Sequence, residues 1–178
     1  MNPVKEIKIS TVSTIKGKSF SVNLDEVKLP SGRITDRIRV IHPDASAIVP
    51  FTEEGKIILV KQFRYSIQEE TLEIPAGKID EGETPEECAY REMAEETGYT
   101  ASKLDFLLKY VPAIGYSSER LFIFKAAGLK KIPDYLQPDD EISKLEILTL
   151  DEIRAKVLSG EIIDGKTIVA IARINQCI

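Results

Sequence analysis

Residues 77–99 contain a short acidic helix with glycines at both ends, and this segment constrains the fold more than any other part of the chain. Thr84 begins a Thr-x-x-Glu capping box, and Gly98 can supply the left-handed residue that ends a helix. Glu92 and Glu96 are four residues apart, so they lie one turn apart on the same face. Like charges at this spacing repel, which weakens the helix unless a cation lies between them. A divalent cation with oxygen ligands meets this need.

The two faces of this helix differ in character. Each residue advances by about 100°, so Ala89 and Met93 share the side that should face the core, whereas Glu95 lies with the other two glutamates. A solvated helix face is the simpler explanation of such a charge run. The preceding loop favours a metal site, because Gly77 allows a close approach of the backbone to the helix. A loop carbonyl with two or three carboxylates forms an all-oxygen site, which selects Mg²⁺ or Mn²⁺ over zinc.

The pattern of the segment resembles the Nudix box, and every defined position of that box is present. These positions are Gly77, Glu83, Arg91, Glu92, Met93, Glu95, Glu96, Gly98 and Tyr99. Nine specified positions over 23 residues form a highly specific signal. The resemblance implies a hydrolase that splits a nucleoside diphosphate linked to another group.

The same resemblance implies roles for individual residues. It implies that Glu92, Glu96 and the carbonyl of Ala76 are metal ligands, with Mg²⁺ as the cofactor and Mn²⁺ as a substitute. It further implies that Glu95 assists catalysis and that Arg91 orients the glutamates. An acidic loop at 138–141 lies before a predicted strand, and loops of this kind often carry catalytic groups. The resemblance implies that this loop delivers a carboxylate near the metals, where it positions the attacking water. Glu141 is the first choice and Asp140 the second, with a solvated turn as the alternative.

The order of apolar runs along the chain predicts the fold class. Short strand-like runs lie on both sides of the acidic helix, and helices are predicted at 151–158 and 166–174, with Asp164 capping the second. Mixed β-sheets sandwiched between helices, an α/β (α+β) fold, explain this order. Alternating residues over positions 1 to 40 predict an N-terminal antiparallel β region, and Glu53-Glu54-Gly55 predicts a hairpin turn between the next two strands.

Beyond the box, the chain resembles the ADP-ribose pyrophosphatase branch of the Nudix family. The runs that carry this resemblance are Lys61 to Tyr65, Leu72 to Gly77, and Asp164-Gly165-Lys166-Thr167 at the start of the last helix. The branch implies a division at residues 1–43, a β region that helps to build a homodimer, and 44–178, a catalytic domain.

Substrate contacts are predicted at three positions. The fork of Arg64 can hold phosphate or ribose oxygens, although a surface arginine at a strand end is also common. The resemblance adds Arg37, with Arg33 and Arg39 as competitors, and adds Glu119, for which an exposed loop glutamate is the alternative. The favoured substrate is ADP-ribose, which would yield AMP and ribose 5-phosphate.

One departure from the branch leaves the substrate open. Ile114 replaces a second proline that marks ADP-ribose specificity in the branch. GDP-mannose and UDP-glucose therefore stay as alternative substrates of the same reaction. A non-catalytic Nudix-fold sensor that binds ADP-ribose or a partner protein is the alternative from another functional class.

Composition argues against several other classes of protein. The net charge of −5 argues against nucleic acid or an anionic membrane as the main partner. No apolar run approaches the roughly 18 residues of a membrane span, and the N-terminus lacks the apolar core of a signal peptide. Cys88 and Cys177 form no disulfide framework, so a cytoplasmic location is expected. Residues 160–167 match the written P-loop pattern, but a helical segment precedes them where a strand is required.

Overall fold

The computed structural model describes residues 4–135 and 142–176, which form two compact units. One unit consists of Met1–Asp44 and Val111–Arg120, and the other consists of Ala45–Tyr110 and Leu121–Ile178. The first unit thus includes a segment from the range 44–178 that the sequence assigns to the catalytic domain. The functional division at residue 43 stays a prediction.

The first unit is built around a three-stranded antiparallel sheet. Its strands are β1 (Ile7–Lys16), β2 (Ser21–Lys28) and β3 (Ile34–Ile41), with β2 in the centre. Gly32 adopts a φ of +86° in the turn between β2 and β3, a conformation that glycine adopts without steric cost. Every residue of β1 is exposed, and this strand forms one edge of the sheet. The predicted N-terminal antiparallel region is therefore confirmed.

The second unit contains two sheets and three helices. Its elements are β4 (Ala45–Pro50), β5 (Ile57–Arg64), β6 (Glu69–Glu73), β7 (Ala76–Lys78), α1 (Pro85–Thr97), β8 (Tyr99–Tyr110), β9 (Leu121–Lys131), β10 (Ile142–Leu148), α2 (Leu150–Ser159) and α3 (Gly165–Ile174). A four-stranded sheet has the order β7-β4-β9-β8, in which β4 and β9 are parallel and the other pairs are antiparallel. A three-stranded antiparallel sheet has the order β10-β5-β6. The predicted mixed α+β fold is confirmed.

Strand β4 separates the apolar core into two clusters, because all six of its residues are buried. Ile48 packs with Ala89 and Met93, so α1 covers one face of the four-stranded sheet. The neighbouring residues of β4 face a larger cluster that contains side chains of β5, β6, α2 and α3. Helix α1 is therefore held by its apolar side, as the sequence predicts, and its opposite side is left for the glutamates.

The predicted hairpin between β4 and β5 is wrong. Glu53, Glu54 and Gly55 do form a turn, and Phe51 makes a single bridge to Ile57. Beyond this bridge the two strands join different sheets, because β4 pairs with β7 and β9, whereas β5 pairs with β6 and β10. The local turn signal is therefore correct, but the strand partners are set by contacts distant in sequence.

The helix termini follow the capping residues in the sequence. Thr84 and Thr149 each form a complete capping box with the glutamate three residues later, and Asp164 accepts a hydrogen bond from the backbone N–H of Thr167. Gly98 and Gly160 adopt the left-handed conformation that ends α1 and α2. None of the helices in the described segments has both the length and the apolar character needed to cross a membrane.

Candidate active site

Two of the three glutamates on the acidic face of α1 are largely buried. Glu96 is only 7% exposed, and 12% of the Glu92 side chain is exposed. Glu95 differs, because about half of its side chain is exposed. This arrangement does not fit a simple solvated helix face, since a buried carboxylate is unfavourable without a compensating partner.

The loop before α1 contacts both buried glutamates. The backbone N–H of Ala76 donates a hydrogen bond to Oε2 of Glu96 at 3.0 Å. Gly77 lies against the other carboxylate, because a Cβ added to Gly77 would be only 1.9 Å from Oε1 of Glu92. The structure thus brings together Ala76, Glu92 and Glu96, the three residues predicted to bind metal. Metal binding itself stays a prediction.

Arg91 links the glutamates to the loop through four groups. Its Nε and Nη2 donate to the two carboxylate oxygens of Glu83, each at 2.9 Å. Its Nη1 donates to Glu92 at 2.6 Å and to Glu95 at 3.1 Å. Nη2 also donates to the carbonyl of Lys78 at 3.0 Å. A planar guanidinium can hold several carboxylates in fixed orientations, which a lysine cannot do.

The pKa values of two carboxyl groups in this cluster are shifted in opposite directions. Hydrogen bonds from Arg91 lower the pKa of Glu83 to about 2, so Glu83 is a permanent anion that holds the guanidinium. Burial raises the pKa of Glu92, although Arg91 acts against this shift. A second positive charge beside Glu92 would therefore stabilise its ionised form.

The donor set fits a divalent cation that prefers oxygen. Residues 4–135 and 142–176 contain no group of three His, Cys, Asp or Glu side chains arranged to hold a metal. The predicted set does not need one, because it combines two carboxylates with a backbone carbonyl. Carboxylate and carbonyl oxygens suit Mg²⁺ and Mn²⁺, which keep several water ligands.

Cys88 lies beneath the same loop and plays a packing role. It is fully buried, and its Sγ donates to the carbonyls of Gly77 and Lys78 at 3.6 and 3.4 Å. Burial raises the pKa of its thiol to about 12, so the thiol stays protonated.

Arg64 is held by a buried carboxylate that the sequence analysis did not single out. Nε and Nη2 of Arg64 donate to the two oxygens of Glu73 at 2.7 and 2.5 Å. Lys166 and Thr71 also donate to Glu73, which is only 2% exposed. The available signal in the sequence was a glutamate placed between two apolar residues, Leu72 and Ile74.

Tyr135 is a second residue that sequence reasoning missed. Its hydroxyl donates to the carbonyl of Glu95 at the end of α1. Its ring lies over Gly98, where a Cβ would be 2.5 Å from the ring. The size of Gly98 is therefore needed for this packing as well as for the end of the helix. No sequence pattern indicates this contact, which spans 40 residues.

The other predicted site residues are either in the first unit or outside the described residues. Arg37 forms a two-point ion pair with Glu6, with distances of 3.0 and 2.6 Å. Glu119 lies 3.6 Å from Nδ1 of His42. Asp140 and Glu141, predicted to position the water, lie outside the described residues.

The segment that matches the P-loop pattern joins two helices. Gly160 ends α2, and Asp164 caps α3, so no strand leads into this segment. The context that a phosphate-binding P-loop requires is therefore missing, as the sequence analysis expected.

Comparison with known proteins identifies the family. The NUDIX domain profile matches residues 41–168, most of the chain. The chain belongs to the Nudix hydrolase family. The matched range contains the whole box from Gly77 to Tyr99, so the resemblance inferred from that box is confirmed.

Individual Nudix relatives match over nearly the full length. The ADP-ribose pyrophosphatase of Bacillus subtilis (strain 168) is 38% identical over 172 residues, which are 96% of this chain and 93% of that protein. The methanol dehydrogenase activator of Bacillus methanolicus is 36% identical over 168 residues, 94% of this chain and 91% of that protein. A crystal structure of an ADP compounds hydrolase superposes with a TM-score of 0.84 and covers 97% of this chain and 93% of its own. At 22% identity, that structure supports the Nudix fold alone.

Acid titration should reveal the ionised state of Glu73 in this Nudix protein. Burial favours the neutral form, but hydrogen bonds from Arg64 and Lys166 outweigh it and lower the pKa to about 2. The pKa of a glutamate in an unfolded chain is about 4.3. Because the folded pKa is the lower one, the stabilisation is present above the unfolded pKa and is lost as the pH falls towards 2.

We expect Glu73→Gln to remove this pH dependence. The difference in unfolding free energy between wild type and variant should narrow by about 2 kcal/mol from about pH 6 to about pH 3. Urea denaturation followed by circular dichroism measures this difference at each pH. Glu70→Gln, on the same hairpin but with an exposed ion pair to Lys61, is the control and should show a smaller change. If the difference in unfolding free energy between wild type and Glu73→Gln did not vary with pH, Glu73 would not have a lowered pKa in the folded protein.

Proposed function

We propose that this Nudix protein hydrolyses the pyrophosphate bond of a nucleoside diphosphate sugar in the presence of Mg²⁺. The observation that carries the proposal is the convergence of Ala76, Glu92 and Glu96 at one loop and one helix face. ADP-ribose is the favoured substrate, and its products would be AMP and ribose 5-phosphate. The 38% identity to the ADP-ribose pyrophosphatase of Bacillus subtilis supports this choice.

The chemistry requires that negative charge be neutralised before water can attack. Mg²⁺, or Mn²⁺ in its place, would be held by Glu92, Glu96 and the carbonyl of Ala76, where it supplies positive charge and lowers the pKa of a bound water. Arg91 holds the Glu92 carboxylate in one orientation and is itself held by Glu83. The partial burial of both metal-binding carboxylates strengthens their interaction with a cation.

The remaining roles are assigned by resemblance and by position. Glu141, or Asp140 in its place, would orient the attacking water, and Glu95 would assist beside the buried pair. Arg64 would contact the phosphates through Nη1, which makes no hydrogen bond within the described residues. Arg37 and Glu119 would contact other parts of the substrate.

A homodimer formed through the N-terminal β region completes the proposal. Strand β1 is an edge strand, and its apolar side chains Ile7, Val12 and Ile15 are each more than 60% exposed. An exposed apolar edge favours pairing with another chain. A second copy of this chain is the proposed partner, and light scattering after gel filtration would measure the mass.

The free buried thiol of Cys88 is consistent with the reducing cytoplasm as the proposed compartment.

Two alternatives to ADP-ribose hydrolysis can be tested in one experiment. Ile114 replaces the branch proline and is 87% exposed, which favours testing GDP-mannose and UDP-glucose as substrates. The relative named as a methanol dehydrogenase activator favours testing the non-catalytic, partner-binding alternative.

The experiment is a substrate panel with and without divalent metal. ADP-ribose, GDP-mannose, UDP-glucose and a dinucleoside polyphosphate are each incubated with the protein, and the products are separated by ion-exchange chromatography. We expect AMP and ribose 5-phosphate from ADP-ribose with Mg²⁺ or Mn²⁺, and no products with a chelator. Faster turnover of GDP-mannose would change the substrate but keep the reaction. A lack of products from every compound would reject the proposed function.

A further inference from the structure

One face of the β5–β6 hairpin is buried yet polar. Gln62, Thr71 and Glu73 are each at most 5% exposed, and the alternation of the strands places Arg64 on the same face. Buried polar side chains at consecutive positions on one strand face are costly unless they are hydrogen-bonded. Each polar group on this face therefore needs a hydrogen-bond partner.

Glu73 is the centre of this polar face. Its two carboxylate oxygens accept hydrogen bonds from Arg64, and Thr71 and Lys166 also donate to it. Lys166 is 3.1 Å from Asp164, the N-cap of α3. The four charged groups are thus two cations and two anions, so the buried network is electrically balanced.

The network occupies one edge of the Arg64 guanidinium, and the other edge is open, which means that it is available to hydrogen-bond a ligand. Glu73 occupies Nε and Nη2, whereas Nη1 makes no hydrogen bond within the described residues. About 38% of the Arg64 side chain is exposed. The pKa of Arg64 is raised mainly by its hydrogen bonds to Glu73, and the charges of Asp164 and Glu96 contribute further.

The same network is anchored to the loop that contacts the glutamates. Thr167, next to Lys166, accepts a hydrogen bond from the backbone N–H of Ile74 at 2.9 Å. Ile74 follows Glu73 directly and lies two residues before Ala76. The start of α3 thus fixes both the carboxylate that holds Arg64 and the backbone that leads to the predicted metal ligand.

We infer that Glu73 is a positioning residue, which presents the open edge of Arg64 to the diphosphate of the substrate while Lys166 balances its charge. The inference rests on the proposed function. Glu73 does not contact the substrate, and its effect on substrate binding is transmitted through Arg64. A guanidinium fixed by two hydrogen bonds loses less freedom when it binds phosphate than a mobile one does.

The test is a double-mutant cycle on Glu73 and Arg64. We expect Glu73→Gln to lower kcat/KM for ADP-ribose by about 10- to 100-fold, mainly through KM, because the arginine is no longer held in its binding orientation. Arg64→Ala should cause a loss of similar or larger size. The double variant should be no worse than Arg64→Ala alone, because Glu73 then has nothing to position. Calorimetric titration with ADP-ribose gives the Kd of each of the four proteins, so the same cycle can be calculated from binding.

Two further variants separate positioning from folding. Glu70→Gln makes the same chemical change on the opposite face of the hairpin, where Glu70 pairs with exposed Lys61, and it should leave kcat/KM within about twofold. If Glu73→Gln does not fold, Glu73→Gln combined with Lys166→Gln restores charge balance and serves in its place. This pair should still show the loss, because Arg64 is still not held.

The outcomes distinguish the inference from the proposed function. If wild type hydrolyses ADP-ribose and the effects of Glu73→Gln and Arg64→Ala multiply, Glu73 is only a structural residue and the inference is overturned. If wild type binds ADP-ribose but hydrolyses no compound of the panel, the proposed function fails, but a non-additive cycle in Kd supports the inference. If wild type neither binds nor hydrolyses any compound of the panel, both fail.

Discussion

Replacing Glu96 with Gln is expected to lower turnover of ADP-ribose by about 10³-fold while leaving the protein folded. The amide oxygen of Gln can still accept the hydrogen bond from the backbone N–H of Ala76. The shape of the buried site is therefore kept, and only the negative charge is lost. Because that charge is what attracts a divalent cation, the variant should also need far more Mg²⁺ for half-maximal activity.

The measurement is kcat at several Mg²⁺ concentrations, together with thermal unfolding. The melting temperature should change by less than about 4 °C. Glu86→Gln is the matched control, because Glu86 is an exposed glutamate on the same helix, and its activity should equal that of wild type. Wild-type turnover of Glu96→Gln at low Mg²⁺ would show that Glu96 does not bind metal.

Replacing Gly77 with Ala is expected to have the second largest effect, with a loss of about 10²-fold in kcat/KM. The added Cβ would be 1.9 Å from Oε1 of Glu92, so the carboxylate or the loop must move. Such overpacking also costs about 1–3 kcal/mol of stability. The displaced carboxylate would lose its alignment with Arg91, which donates to the same oxygen.

Gly165→Ala is the matched control for this change. Gly165 is the first residue of α3, and its φ is not in the left-handed range. Apart from its chain neighbours and the backbone of its own helix, no atom lies within 4 Å of its added Cβ. The extra methyl group there should leave activity unchanged and stability equal or slightly higher. Equal activities of Gly77→Ala and Gly165→Ala would show that the contact between Gly77 and Glu92 has no role in catalysis.

The acidic helix α1 shows which features local sequence signals can predict. The sequence predicted its start at Thr84, its end at Gly98 and the burial of Met93, and the structure agrees. Each of these features depends on residues three or four positions apart, where hydrogen bonding and side-chain contact follow directly from helical geometry.

The partners of the strands could not be predicted in the same way. The turn at Gly55 is present, but β4 pairs with β9, which lies more than 70 residues further along the chain. A turn signal is local, whereas the choice of sheet depends on which strand faces bury the most apolar area. The arrangement of Arg64, Glu73 and Lys166 was missed for the same reason, because the contact between Lys166 and Glu73 spans 93 residues.

Short-range spacing in the sequence was enough to predict the family and the limits of the acidic helix, and both predictions are confirmed. The oxygen-rich ligand set, read from the same spacing, stays a prediction. The close approach of Glu92 to Gly77 and the hydrogen bonds between Arg64 and Glu73 depend on the tertiary fold. These contacts arise when separate strands and helices pack together. The energy of such packing depends on the positions of atoms in space, which residue spacing does not specify.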